Sequence, residues 1–465
     1  MKRNLLIVCL LISCTGFSQQ ETSSWYFGVY AGLHFQGTIV TATPSNTLVT
    51  NEGCSAISDP AGNLLFYTDG ITVWDKLHNA MPNGTGLTGG ISSTQSALIV
   101  PQPGSNNLYY IFTTDEIGGP NGFRYSIVDM SLQGGNGDVT NSKNISVLNN
   151  VTERLTAVKQ ANGIDYWVAV HEWGTDAFYV YALTSAGLLP SPVISNVGIV
   201  HTTAVIQNTY GQMKFSFCGD KIALAAGYLD TVEIFDFDNA TGMVSNPVSL
   251  PLFAHVYGLE YSPSQQLLYV STYDPLATLV QFDLTAGTAA AILASKVIVS
   301  STPDIYGLQI GADGKIYVCR SFSSFLGVIN SPSVAGTGCN YVDNGVDLDP
   351  AFAGVTSALG LPGFVQSNFR SETVCSTNSI NELNGQYPLN VYPNPFTNNF
   401  TLSFSPADSP SEIIIYDAIG KQVGTFAVAE KQNSFSFGAS LVAGIYFVLI
   451  RNNSGQEVIK VVKVN

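Results

Sequence analysis

Beyond the first twenty residues, apolar positions fall in short runs rich in Tyr, Phe, Val, Ile and Thr, each closed by Gly, Asn, Asp or Pro. Runs of about five to eight such residues between turn formers predict strands, and continuous rather than alternating runs predict strands covered on both faces. Tyr257-Gly258-Leu259-Glu260-Tyr261-Ser262-Pro263 leads to Leu267-Leu268-Tyr269-Val270, and 49 residues later Tyr306-Gly307-Leu308-Gln309-Ile310-Gly311-Ala312-Asp313-Gly314-Lys315 leads to Ile316-Tyr317-Val318. Each copy predicts a strand, a tight turn and a second aromatic strand.

Weaker copies begin at Ser55, Ser96, Thr156 and Met213, so six units are traceable. Most continue into a third strand ending in Asp, as in Thr72-Val73-Trp74-Asp75, Tyr125-Ser126-Ile127-Val128-Asp129, Val232-Glu233-Ile234-Phe235-Asp236 and Leu279-Val280-Gln281-Phe282-Asp283. Repeats of roughly 40 to 60 residues, each a small antiparallel sheet, predict a β-propeller. One such sheet cannot bury both faces alone, whereas sheets packed in a ring cover one another. Ser24-Trp25-Tyr26-Phe27-Gly28 and Leu359-Gly360-Leu361-Pro362-Gly363-Phe364-Val365 are each too short for a blade, and together predict a seventh one shared by both ends. The WYFG opening, the repeated YGL, the Gly314-to-Val318 strand and the GLPGF segment resemble a group of exported propellers from Bacteroidetes, with the look of seven-bladed repeat families. That resemblance spans about Trp25 to Phe369 and implies a fold, not a ligand.

The texture changes near residue 371, where Ser371 to Ser379 is polar and unpatterned and predicts a linker over 371–389. From Asn390, short strands are expected at Phe400–Phe404, Glu412–Tyr416, Gln422–Phe426, Ser434–Phe437, Ile445–Ile450 and Val458–Val464, a small immunoglobulin-like β-sandwich over 390–465. The fold class is therefore all-β, a propeller over 19–370 followed by this sandwich. The box Tyr392-Pro393-Asn394-Pro395, the Tyr416-to-Lys421 turn, Gly444-Ile445-Tyr446 and Lys460-Val461-Val462-Lys463 resemble the C-terminal sorting domain, type A, of the type IX secretion system. The resemblance implies a translocon and a sortase as partners. It also implies passage across the outer membrane after Sec export, a cut between about Phe369 and Leu389, and release or attachment to surface lipopolysaccharide.

The start of the chain fits export: Lys2 and Arg3, an apolar stretch from Leu5 to Ile12, and small residues before a cut after Ser18 read as a signal peptide over 1–18. Leu11-Ile12-Ser13-Cys14 also fits a lipoprotein cleavage pattern. After it come Cys54, Cys218, Cys319, Cys339 and Cys375, an odd number without metal spacing. Buried single thiols are the expectation, with Cys319 and Cys339 the nearest pair in sequence.

Composition sharpens the partner classes. The 465 residues carry 18 Lys and Arg against 33 Asp and Glu, a net charge of −15. A phosphate backbone is repelled by such a chain, so nucleic acid is excluded as a partner. The tail from Asn381 holds six acidic and five basic residues, so the acidity belongs to the propeller. Mean hydropathy is +0.21, yet after the first twenty residues no apolar run approaches the roughly 18 to 20 residues of a spanning helix.

Candidate chemistry is sparse. His34, His78, His171, His201 and His255 stand singly, and a lone His is more often structural than ligating. If inner strands begin at one mouth of the channel, Glu52, Gln95, Arg154, His255, Tyr257 and Tyr306 ring that mouth, with His171 and Glu172 as a further pair to probe. The tyrosines also have the plain reading of repeated blade packing. Asp343, Asp347 and Asp349 offer clustered oxygen donors suited to Ca²⁺ without the order of an EF-hand, and no other cofactor is expected. No nucleophile elbow, phosphate loop, zinc or haem box is present. The leading expectation is a non-enzymatic binding protein for an extracellular protein or glycan. A hydrolase or lyase acting on a glycan or lactone is the alternative, and a quinone-binding electron carrier a remote third.

Overall fold

A computed structural model describes residues 20–44, 47–274, 277–350, 354–370, 372–375, 390–403, 411–417, 421–428, 432, 434–452 and 455–464. The expected signal peptide and most of the expected linker lie outside the described residues. The chain divides into two compact units, Met1–Cys375 and Ser376–Asn465.

The described residues of the first unit form seven small sheets. The first holds Ser24–Phe27, Ala31–Gln36 and Ile39–Ala42, and the second holds Cys54–Ser58, Leu64–Thr68, Thr72–Asp75 and Ala80–Thr85. The third runs from Ala97–Pro101 to Ile145–Leu148, the fourth from Val151–Lys159 to Val193–Asn196, and the fifth from Met213–Phe215 to Met243–Pro251. Val256–Tyr261 opens the sixth and Ile305–Ile310 the seventh, which end at Val297–Ser300 and Tyr341–Asp347. Strands consecutive in sequence pair antiparallel, so each sheet is a meander, and in the third to seventh sheets the first strand lies innermost.

Apolar clusters fill the interfaces between sheets and show the ring closing. Ile57, Phe66 and Val73 meet Ile99 and Ile111 between the second and third sheets. Phe112 and Phe123 meet Val168 and Tyr181 between the third and fourth, and Phe178 meets Phe215 and Phe235 between the fourth and fifth. One continuous cluster joins the fifth, sixth and seventh. Another carries the seventh, through Tyr317 and Leu326, onto Trp25 and Phe27 of the first and Tyr67 of the second. The result is a propeller, in which every sheet buries both faces against neighbours.

The repeated Tyr-Gly-Leu has a backbone cause. A Cβ on Gly258 would lie 2.2 Å from the Tyr306 carbonyl oxygen, and one on Gly307 would lie 2.8 Å from that of Leu359. Inner strands approach too closely at this end for any side chain. The two copies share their register, with Glu260 opposite Tyr269 and Gln309 opposite Tyr317.

Closure differs in detail from the expected shared blade. The first sheet takes its three strands from the beginning of the chain, and Val29 bridges Thr356. Pro362–Gly363 instead pairs parallel with Cys54–Ser58 of the second sheet. Trp25 is fully buried against Phe35, Tyr317 and Phe364, at ring-centroid distances of 4.9, 5.4 and 5.9 Å.

Cys218 and Cys375 form a disulfide, while Cys54, Cys319 and Cys339 are free and buried. The pairing joins residues 157 apart, which sequence proximity could not reveal, and fastens the short helix Glu372–Cys375 to the propeller. Closing so long a loop restricts the unfolded chain, so Cys375→Ser should cost about 2–4 kcal/mol. Denaturant unfolding of the variant against the parent chain, with and without reductant, checks this: reductant should shift the parent and leave the variant unmoved.

In the second unit, Asn390–Tyr392, Phe400–Ser403 and Ser434–Phe437 form one sheet. Ser411–Asp417, Gln422–Val428, Gly444–Asn452 and Gly455–Lys463 form the other. Phe400 and Leu402 pack on Ile413, Ile415, Val448 and Val461 between the layers, which makes a β-sandwich.

Candidate functional site

The inner strands bring a polar network onto the propeller axis. Met213–Phe215 is an apolar strand except for Lys214, whose Nζ donates to Glu260 Oε2 at 2.6 Å, the Leu308 carbonyl at 2.7 Å and Gln309 Oε1 at 2.9 Å. One ammonium thus ties the fifth, sixth and seventh sheets, with all three donors used. Burial pushes Lys214 down and Glu260 up, and their mutual attraction opposes both shifts. Gln95 spans the axis differently: Oε1 accepts from the Met213 amide at 2.8 Å and the Leu155 amide at 3.2 Å, while Nε2 donates to the Met213 carbonyl. The cavity among these groups is only about 10 Å³, room for about one water molecule. Polar side chains bonded to one another and to inner-strand backbone fill the channel here.

Arg154 is also structural. It is fully buried and donates to the carbonyls of Asn208, Tyr210 and Ala225, so it fastens the fourth sheet to the fifth. His171 is buried against His201 and Phe178, with ring centroids 4.1 and 4.8 Å away. Burial, aided by the Arg154 charge, holds its imidazole down to about 3 and hence neutral. Glu172 accepts from Thr175 Oγ1 in its own turn. The expected pair His171 and Glu172 therefore faces away from any shared task.

Four other expected residues do come together. Glu52, 7% exposed, lies at the mouth with Tyr257 Oη 2.6 Å from Oε2 and Ser92 Oγ 2.9 Å from Oε1. Burial, reinforced by the neighbouring Glu153 carboxylate, raises Glu52 to about 8. Tyr306 stands edge-on to Tyr257 at 5.4 Å, and His255 Nδ1 lies 2.7 Å from Asp230 Oδ1. The structure adds three rings. Tyr228 stacks on His255 at 3.8 Å, Tyr273 touches both His255 and Tyr306, and the half-buried Tyr210 feels the Glu52 and Glu153 charges. Tyr210 had a signal in the sequence, because Tyr210-Gly211 precedes the fifth sheet as Tyr257-Gly258 and Tyr306-Gly307 open the next two. Tyr228 and Tyr273 had none, since both lie in turns between second and third strands.

Antiparallel alternation puts those turns and the loops preceding each inner strand at one end of the ring. Large apolar residues are exposed there, including Ile91, Ile117, Val205 and Ile206, with Phe253 83% and Phe322 63% exposed. Among the described residues, the loop segments 47–53, 86–96, 115–122, 173–176, 197–212, 227–230, 252–255, 273–274, 301–304, 321–324, 348–350 and 354–361 at this end hold no Lys or Arg, while Arg124 and Arg320 directly flank two of them. They hold Glu52, Asp115, Glu116, Asp176, Asp230, Asp274, Asp304 and Asp349. The mouth is aromatic, apolar and acidic at once.

Asp343 and Asp347 fall on the strand Tyr341–Asp347, where four residues of extended chain span about 13 Å. Asp347 accepts from the Asp349 amide, and Asp349 from the Gly354 amide. The strand spreads these carboxylates instead of gathering them for Ca²⁺. Among the described residues no group of three or more His, Cys, Asp or Glu is placed to hold a metal ion.

In the sandwich, Asn394 of the Pro box accepts from the Val462 amide through Oδ1 and donates through Nδ2 to the Lys460 carbonyl, both at 2.9 Å. Lys463 donates to the carbonyls of Gly438 and Asn398 and lies over the Phe396 ring. Gly444 pairs with Lys463 and Tyr446 with Val461, and the Tyr446 hydroxyl donates to the Val442 carbonyl. Tyr392 is exposed beside Pro393 and Pro395. Segments far apart in sequence thus lock onto one strand. Residues 390–464 match the secretion system C-terminal sorting domain. This domain carries interaction with the type IX machinery and export to the cell surface or extracellular space.

No curated protein matches the chain. Among solved structures, a putative 6-phosphogluconolactonase from Bacteroides fragilis is similar at 13% identity and a TM-score of 0.47, covering 73% of this chain and 97% of that one. A protein from Lactobacillus plantarum gives 14%, 0.46, 73% and 98%, and the periplasmic gluconolactonase of Pseudomonas aeruginosa 15%, 0.34, 77% and 96%. Likenesses this distant transfer neither a reaction nor a site.

Proposed function

We propose that the protein is an exported seven-bladed propeller that binds a positively charged extracellular protein at its mouth and leaves it chemically unchanged. The observation that carries this reading is the mouth itself, where exposed aromatic and aliphatic side chains sit among loops in which eight carboxylates outnumber the flanking Arg124 and Arg320. Exposed apolar surface of this kind marks protein-binding sites, and complementary charge steers and selects the partner. Export begins through Sec on residues 1–18 and continues through the type IX translocon. The sortase cut falls between about Phe369 and Leu389, with lipopolysaccharide attachment or release as the end state.

The test is capture of extracellular proteins by the purified chain, followed by titration of the captured partner. Aromatic anchors at interface centres contribute about 2 kcal/mol or more, so Tyr228→Ala or Phe253→Ala should weaken binding about 30-fold. Rising salt should weaken it further. A partner bound equally well by both variants, or bound independently of salt, overturns the reading.

A second reading has one observation in its favour. A carboxyl raised to about 8 beneath an open aromatic mouth can serve as a general acid, which suits hydrolysis of a lactone or glycan. Turnover that disappears in Glu52→Gln would establish it.

A further inference from the structure

At the end of the ring opposite the mouth, the turns of the first and second sheets enclose a groove of about 600 Å³. Its walls come from Gln20, His34, Gln36, Asn63, Lys76 and His78, with Tyr26 among the apolar residues. None of these belongs to the mouth, and among the described residues no Asp or Glu lines the groove, although the propeller around it is acidic.

The two imidazoles are held in place through one nitrogen each. His34 Nδ1 lies 3.2 Å from Ser24 Oγ. His78 Nδ1 lies 3.0 Å from Tyr67 Oη, which is itself 2.6 Å from Thr47 Oγ1. The Tyr26 ring stacks on Tyr67 at 4.3 Å and meets His78 edge-on at 5.3 Å, so the wall behind His78 is rigid. His78 also sits at φ 65°, a left-handed backbone that side chains rarely adopt and that persists where surrounding contacts enforce it. Asn63 donates through Nδ2 to Asp59, which fixes the amide and leaves Oδ1 as an acceptor. At Gly62 a Cβ would come within 2.5 Å of Gln20 Oε1, so the glycine lets that side chain lie against the turn.

A groove of several hundred Å³ is the size of a small-molecule site. Its lining offers amides that both donate and accept, imidazoles fixed through Nδ1 and a short apolar wall. Such a lining matches the vicinal hydroxyls and apolar ring face of a sugar. The missing carboxylates set it apart from the mouth, which suits cations. We infer that this groove is a saccharide-binding site, taking one or two sugar rings, independent of the protein-binding mouth.

The test titrates the full-length protein by calorimetry with cellobiose and lactose in one arm and digalacturonate in the other. The result expected is saturable binding in at least one arm. Gln36→Ala and His34→Ala should each weaken it about tenfold with an unchanged melting temperature. Lys76→Ala should weaken the uronate arm alone, which tells an acidic sugar from a neutral one. Tyr228→Ala, at the opposite end, should leave both arms unchanged, so failure of the mouth reading does not carry over. Absence of saturation in both arms, or affinities unaltered in both Gln36→Ala and His34→Ala, overturns the proposal.

Discussion

Removing residues 390–465 should abolish surface delivery and leave the propeller in the periplasm. The Pro box, the Gly444–Tyr446 segment and the Lys460–Lys463 strand are brought together by the Asn394, Phe396 and Lys463 contacts, so the recognition surface is a folded object and not a linear tag. Deletion removes it whole. The propeller should remain folded, because the disulfide and every apolar cluster between its sheets lie within Met1–Cys375. Fractionation and protease shaving of intact cells check this, with the surface signal falling to background and a soluble periplasmic band taking its place. A smaller change makes the same point: Asn394→Ala removes both the amide acceptor and the donor that hold the Pro box to the last strand, and should reduce surface delivery while the propeller is unaffected.

Lys214→Met should be the most destabilising single substitution on the propeller axis. It leaves Glu260 buried without its cation and strips a donor from Gln309 and from the Leu308 carbonyl. Breaking one side of a buried pair costs about 3–5 kcal/mol, whereas replacing both partners with apolar groups is far milder. Lys214→Met combined with Glu260→Leu should therefore recover much of the loss. Denaturant midpoints for the two single variants and the double variant give the coupling directly. Equal destabilisation of the single and double variants would mean that packing volume, not the ion pair, sets the stability of the axis.

The architecture was legible in the sequence because the repeat is written in it. Tyr257-Gly258-Leu259 and Tyr306-Gly307-Leu308 recur for a local backbone reason, the close approach of adjacent inner strands, and so leave a local trace. The polar axis was legible only in hindsight. Lys214 stands alone in an apolar run, and Glu260 and Gln309 occupy matching places in two copies, yet their joint function depends on which strands meet at the axis. The same limit explains Arg154 and Gln95, placed correctly near the channel but used to fasten neighbouring sheets. Glu52, His255, Tyr257 and Tyr306 lie together, as expected of residues at the start of inner strands. Tyr228 and Tyr273 were missed because turns between second and third strands carry no repeat signature. The Cys218–Cys375 bond was invisible for the plainest reason: it depends on where the chain goes after the last sheet.

Binding without transformation is the central claim, and one measurement tests it most directly. The partner captured by the full-length protein is incubated with it to equilibrium and analysed by mass spectrometry, beside Glu52→Gln and Tyr228→Ala. The prediction is a partner of unchanged mass, held by the parent chain and by Glu52→Gln but released by Tyr228→Ala. A new product formed by the parent chain and missing with Glu52→Gln would contradict it and make the mouth an active site.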